Sequence, residues 1–255
     1  MLSSCCIDFY QLPITQQLLG DSFHPGGLTL THQLALQTLI NRKSKVLDVA
    51  AGKCTSAHYL ADNFGATTFV VDQGVANLQA AKAELNHDKI HILQGDATQL
   101  PFASESFDVV LCECALSTFN NREKALTEIY RVLKPRGFIA ISDVFLNEPM
   151  PTDLHNRLSQ WLCIRGALNS KRSQEIIEFG GFRQLRFKDV SAQLLETIHD
   201  IEAKLTAPNP QLSALIACEL SRQQTDWQHG IASRLAKFIY NGGAGYYTIT
   251  ARKPA

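Results

Sequence analysis

Three aspartates, Asp48, Asp72 and Asp96, stand at equal intervals of 24 residues (72 − 48 and 96 − 72), each closing a short apolar run. The runs are Lys45-Val-Leu-Asp48, Thr68-Phe-Val-Val-Asp72 and Ile90-His-Ile-Leu-Gln-Gly-Asp96. Each interval has room for one strand, one helix and two short loops, the repeat of a parallel α/β sheet. An acid at the carboxyl end of successive parallel strands offers oxygen acceptors to a nucleotide-like ligand lying across that edge.

The rest of the chain extends the alternation. Apolar periodicity predicts strands at Lys45–Val49, Thr67–Val71, Lys89–Leu93, Phe107–Cys112 and Phe138–Ser142, with helices near Thr55–Asn63, Val75–Leu85 and Arg122–Leu133. The last helix stops at Lys134-Pro-Arg-Gly137, a turn that cannot continue it. Such elements imply right-handed crossovers and a parallel sheet with helices on both faces. Before Ser44 lies an N-terminal helical segment, residues 1–43, broken by the turn cluster Phe23-His-Pro-Gly-Gly27; residues 44–255 form the main domain. After Asp143 the rhythm changes. Helical insertions are expected at about 148–168 and 192–240, with a helix at Lys171–Phe179, a strand at Arg183–Val190 and a β-rich close at Gly245–Arg252.

Lys+Arg and Asp+Glu both number 24, so no global field draws the chain to nucleic acid or an anionic membrane. No uncharged apolar stretch approaches the ~20 residues of a membrane span. The N-terminus lacks the basic and apolar regions of a signal peptide. Seven scattered cysteines read as reduced thiols, so a cytoplasmic protein acting on a small molecule is expected.

The loop Asp48-Val-Ala-Ala-Gly-Lys-Cys54 joins the first strand to a helix whose free N–H groups face the ligand edge. A dinucleotide site would carry Gly-x-Gly-x-x-Gly here, with pyrophosphate on the helix end. That spacing is absent, and Asp48 would repel phosphate while favouring an ammonium or sulfonium.

At this point the chain resembles the class I S-adenosylmethionine-dependent methyltransferases. The resemblance spans roughly Lys45–Val144 and rests on an ordered set: the first loop, Val71-Asp72, Gly95-Asp-Ala97, Leu100-Pro-Phe102, Ser106-Phe-Asp-Val109 and Arg131-Val-Leu-Lys-Pro-Arg-Gly137. It implies a Rossmann-like three-layer sandwich around a mostly parallel seven-stranded sheet. It implies that Asp48, Ala50 and Gly52 hold the methionyl part of S-adenosyl-L-methionine, that Asp72 and neighbouring Gln73 hold the ribose, and that Asp96 and Ala97 face the adenine. Cys112 completes the implied cofactor set. The family's usual Gly-x-Gly-x-Gly reads Ala50, Gly52 and Cys54, so one glycine of three remains.

The acceptor must be read elsewhere. Cys112 and Cys114 are two apart and share a side if the strand continues. Cys163 falls on the expected insertion, where it can fold over the site. Converging thiolates suit a soft centre such as trivalent arsenic. Cys112 ahead of Ala115-Leu-Ser117, and Cys163 ahead of Arg165-Gly-Ala-Leu168, are similar to the arsenite methyltransferase branch, which implies Cys112 and Cys163 as catalytic candidates; the two-residue spacing adds Cys114 to them. That branch usually has further upstream cysteines, whereas here Cys5 and Cys6 stand alone, and Glu113 adds a charge arsenite does not need. The enzyme rival is an O-, N- or C-methyltransferase of a small organic molecule, similar to those of quinone biosynthesis. A third reading is a binding module that holds the cofactor without transfer.

Plainer roles compete with each of these. Free cysteines, Cys218 among them, are commonly small buried hydrophobes. His24, His32 and His155 are candidate bases, and His24 sits in a tight loop placed to close over the cofactor. Trp161 and Tyr10 can shape an acceptor pocket or simply fill the core. No metal site is expected, and the long helices between Ala192 and Tyr240 suffice for a cap or a homodimer surface.

Overall fold

A computed structural model describes residues 13–20, 22–84, 87–154, 166–212, 214–215 and 230–255. Cys5, Cys6, Tyr10, His155, Trp161, Cys163 and Cys218 lie outside the described residues, as do residues 213 and 216–229 of the helical insertion expected at about 192–240.

The strands are β1 (Lys45–Val49), β2 (Thr67–Asp72), β3 (Ile90–Gln94), β4 (Phe107–Glu113), β5 (Leu133–Leu146), β6 (Arg183–Asp189) and β7 (Ala244–Arg252), in the spatial order β3-β2-β1-β4-β5-β7-β6. β1 to β5 pair in parallel, whereas β7 runs antiparallel between β5 and β6. The sheet is therefore mixed. Strand order reverses at β1 and β4, and the crevice outside their carboxyl ends is where such a sheet takes a ligand.

Around it lie α1 (Pro13–Leu19), α2 (Gly27–Gln37), α3 (Thr55–Phe64), α4 (Val75–Glu84), α5 (Arg122–Val132), α6 (Ser170–Phe179), α7 (Ser191–Thr206) and α8 (Ile231–Tyr240). Two-residue alternation sorts the central strands onto two faces. Leu47, Val110, Cys112, Ile139 and Ile141 pack with Leu126 and Ile129 of α5 and Ile176 and Ile177 of α6. Val46, Val109, Leu111 and Ala140 pack on the other face with Leu34 and Ala35 of α2 and Leu60 of α3. Each fully buried Leu or Ile contributes about 1.5–3 kcal/mol. A third cluster joins α1, α7 and α8 to Val144 and Tyr246.

Capping fixes the helices on the first face. Asn121 accepts from the Lys124 N–H at 2.9 Å and starts α5; Asn169 accepts from the Arg172 N–H at 2.7 Å and starts α6. Two of the recurrent sequence pieces prove to be braces. Arg131 donates to the carbonyls of Phe102 (2.7 Å) and Leu100 (3.0 Å), tying the loop after β3 to α5. Asp108 accepts from the Lys45 N–H and the Lys134 ammonium, locking the starts of β1, β4 and β5 at the edge remote from the ligand crevice.

One expectation changes. Lys134-Pro-Arg-Gly137 is not a free turn: β5 begins at Leu133 and runs through it, with Arg136 at φ 64° and the β4 register jumping between the Phe107 and Val109 pairs. A bulge absorbs the extra residues, which periodicity does not reveal. Most of the helical insertion expected at about 148–168 lies outside the described residues, which hold a short 3-10 turn at Thr152–Leu154 and a bridge from Leu168 to Phe145.

Candidate active site

The carboxyl ends of β1, β2 and β4, with the loop after β3, enclose one cleft, and Asp48, Ala50, Gly52, Asp72, Gln73, Asp96 and Ala97 all line it. The β1–α3 loop turns sharply because Ala50, Gly52 and Cys54 adopt φ of 60°, 54° and 64°. These are the three small positions seen in the sequence, so Ala50 and Cys54 hold a left-handed backbone that costs an L-residue about 1–2 kcal/mol. Gly52 is needed twice over: a Cβ there would also sit 3.3 Å from the Phe23 ring that covers the loop.

Asp72 shapes that loop. Its Oδ2 accepts from the Gly52 N–H at 2.8 Å and its Oδ1 from the Gly74 N–H at 2.6 Å. Burial raises its pKa, opposed by these N–H groups and that of Gln73. Asp48 is 2% exposed, and its Oδ2 has no hydrogen-bond partner. Burial pushes its pKa well above the usual carboxylate range, with Glu113 and Asp72 adding like-charge repulsion. An orphaned buried carboxylate oxygen facing a cleft calls for a cationic donor. Asp96, by contrast, is exposed and accepts from the Thr98 N–H at 2.7 Å.

Glu113 is the residue the sequence undervalued. It shares parity with Val109 and Leu111, so it faces α2 and α3, where Ser56 donates to Oε2 at 2.6 Å and Thr31 donates to Oε1 at 3.1 Å. His24 approaches from the loop before α2, its Nε2 3.6 Å from Glu113 Oε2. The alternation Val109, Leu111, Glu113 could have exposed this face.

The same alternation separates the cysteines. Cys112 points to the opposite face, 0% exposed in the α5–α6 core, and does not join the cleft wall. Burial raises its thiol pKa well above the ordinary value, with Asp143, Asp48 and Glu113 adding to the shift. Cys114 does not share its side: β4 ends at Glu113, and Cys114 turns to φ 51°, packing toward the α1–α7–α8 cluster. Cys54 is buried, and its thiol is pushed up to about 12 by burial, then by Asp48 and Asp72. Cys54 and Cys112 are therefore thiols, not thiolates, at neutral pH. His32 is held by the Tyr59 hydroxyl at 3.0 Å and the Phe64 ring.

A second cavity adjoins the first. Ser22, Phe23, His24 and Cys114 line both, and the second is completed by Gln193, Glu196, Thr197, Asp200 and Lys204 of α7. Beneath this junction, buried Asp143 accepts from the Ser117 N–H and hydroxyl and the Val144 N–H, fixing the turn after β4. Burial raises its pKa to about 6 against those bonds.

Residues 47–141 match the family model described as a methyltransferase domain. Over that stretch the chain is similar to proteins named as methyltransferases. The chain is 39% identical over 99 residues to the demethylmenaquinone methyltransferase of Renibacterium salmoninarum, covering 39% of this chain and 40% of that one. It is 28% identical to the arsenite methyltransferase of Mus musculus, over 64% of this chain and 46% of that one. In fold it is similar to phosphoethanolamine N-methyltransferase 2 of Haemonchus contortus solved with S-adenosyl-L-methionine, with TM-score 0.73, 18% identity, and coverage of 95% of this chain and 56% of that one. The chain spans about half the length of the first curated relatives it matches. Among the described residues no His, Cys, Asp and Glu cluster suits a metal ion, and no helix is long and apolar enough to cross a membrane.

Proposed function

We propose that the chain transfers a methyl group from S-adenosyl-L-methionine to a small organic acceptor held in the second cavity. The observation that carries this reading is the pair of adjoining cavities, one lined by the three strand-end acids, with His24 and Cys114 at their junction.

The residues fit the donor. The orphaned Asp48 Oδ2 is suited to accept from its ammonium, Asp72 and Gln73 from its ribose hydroxyls, and Asp96 with the Ala97 backbone is placed for the adenine. When bound, the donor supplies an electrophilic methyl on a positively charged sulfur. Asp48 and Asp72 give the cleft an acidic character that favours a cation and opposes a phosphate-bearing ligand. Phe23 lies over Gly52 and shields the loop from water, so that positioning and water exclusion can supply most of the acceleration.

The arsenite reading draws on Cys114, at the junction of the cavities, and on the murine relative. Buried Cys112, with its raised thiol pKa, argues against a thiolate cage. A screen with labelled donor against quinols, amines, thiols, arsenite and selenite tests both readings. Organic products support the proposal. Arsenite turnover abolished by Cys112→Ser with Cys163→Ser would favour the metalloid, and donor binding without turnover across a broad screen would leave a binding module.

A further inference from the structure

We propose that His24 is the catalytic base that removes a proton from the acceptor, with Glu113 as its positioning residue; the assignment rests on the methyltransferase reading and narrows its acceptor to one bearing an O–H or N–H. The imidazole lies where the two cavities meet, between donor and acceptor. Its Nε2 is 3.6 Å from Glu113 Oε2 and 3.5 Å from Ser56 Oγ, while Nδ1 is 3.4 Å from the Pro25 carbonyl. The imidazole and carboxylate are nearly enclosed, with side-chain exposures of 8% and 4%.

A carboxylate so placed is costly to bury for packing alone. Glu113 is further fixed by two hydroxyls, Ser56 from α3 and Thr31 from α2, so its position is set by three elements that meet at the cleft. A carboxylate locked beside the ring orients the imidazole and stabilises the imidazolium formed when it takes a proton. The other charged groups among the described lining residues are Asp48, Lys53, Asp72 and Asp96 on the donor side, and Glu196, Asp200 and Lys204 across the second cavity. Lys204 donates to the Leu18 carbonyl at 2.7 Å, which holds it to the α1 wall.

The step balances without an oxidant or a metal. The acceptor's lone pair forms a bond to the methyl carbon, and the carbon–sulfur bond breaks with its electron pair passing to sulfur, which becomes a neutral thioether. The acceptor's proton moves to His24 and then to solvent. A metalloid lone pair carries no such proton and would gain nothing from this pair.

The test follows methyl transfer from labelled S-adenosyl-L-methionine to hydroquinone, to sarcosine and to arsenite, across pH, for wild type, His24→Ala and Glu113→Gln. Affinity for S-adenosylhomocysteine is read in parallel by calorimetry. Expected is wild-type methylation of hydroquinone or sarcosine, a ~10²–10⁴-fold lower kcat in His24→Ala, loss of the acid limb of its pH profile, and partial rescue by added imidazole. Glu113→Gln should lower kcat while product affinity in both variants stays within ~3-fold of wild type. Wild-type activity confined to arsenite, or wild-type kcat in His24→Ala, overturns the proposal. A wild type that binds no S-adenosylhomocysteine removes the methyltransferase reading itself, a separate outcome.

Discussion

Replacing Asp48 by asparagine probes the most unusual group in the cleft. The carboxyl is buried with an unpartnered oxygen, and burial, then Glu113 and Asp72, raise its pKa well above the ordinary value. With the folded pKa above the unfolded one, its contribution to stability is fully present below the unfolded pKa and is lost as pH rises through the folded pKa. The amide in Asp48→Asn does not titrate. The two proteins should therefore be closest in stability near pH 4, and the variant should gain on wild type by about 1.4 kcal/mol per pH unit until the wild-type carboxyl ionises. In thermal melts that is roughly 2–4 °C per pH unit for a chain of this size. Donor binding should move the opposite way. Loss of a charge-assisted hydrogen bond to an ammonium costs about 1.5–3 kcal/mol, a ~10–150-fold weaker Kd. Paired melts from pH 4 to 8, with calorimetry of S-adenosyl-L-methionine at pH 7.5, check both. A pH-independent difference in stability, together with unchanged affinity, would refute the reasoning.

Other substitutions separate frame from site. In Gly166→Ala the new Cβ would collide with the Ser117 carbonyl oxygen, so a loss of about 1–3 kcal/mol in urea unfolding is expected. Tyr246→Phe leaves the Ser142 hydroxyl, now bonded at 3.0 Å, unpaired in the core; it should cost about 1–3 kcal/mol, and adding Ser142→Ala should recover part of it. Cys112→Ala should lower stability while leaving donor affinity within ~2-fold by calorimetry, because the thiol lies in the α5–α6 core; a tenfold loss of affinity would return it to the site.

The strand-end acids were legible because a parallel sheet repeats its strand, loop and helix at a steady interval: Asp72 ends its strand and Asp48 stands one residue before the end of its own. The first loop was legible through its small residues, which take left-handed backbone at Ala50, Gly52 and Cys54. The direction of β7 was not, since alternation of apolar residues is the same in parallel and antiparallel strands. Glu113 shares a face with Val109 and Leu111, a parity obscured by its place between two thiols at the strand's last residue. Cys112 and Cys114 were joined by a periodicity that ends one residue too soon: Cys114 leaves the extended region, and with it the rule that residues two apart share a side.

The central claim is that Asp48, Asp72 and Asp96 form the walls of a donor site. Calorimetric titration of the chain with S-adenosyl-L-methionine, beside the Asp72→Asn variant, tests it most directly. One site per chain with a Kd of about 1–100 μM is predicted, roughly −8 to −5.5 kcal/mol, with binding at least ~10-fold weaker in the variant. No heat of binding at ~100 μM protein, or equal affinity in the two proteins, would contradict it.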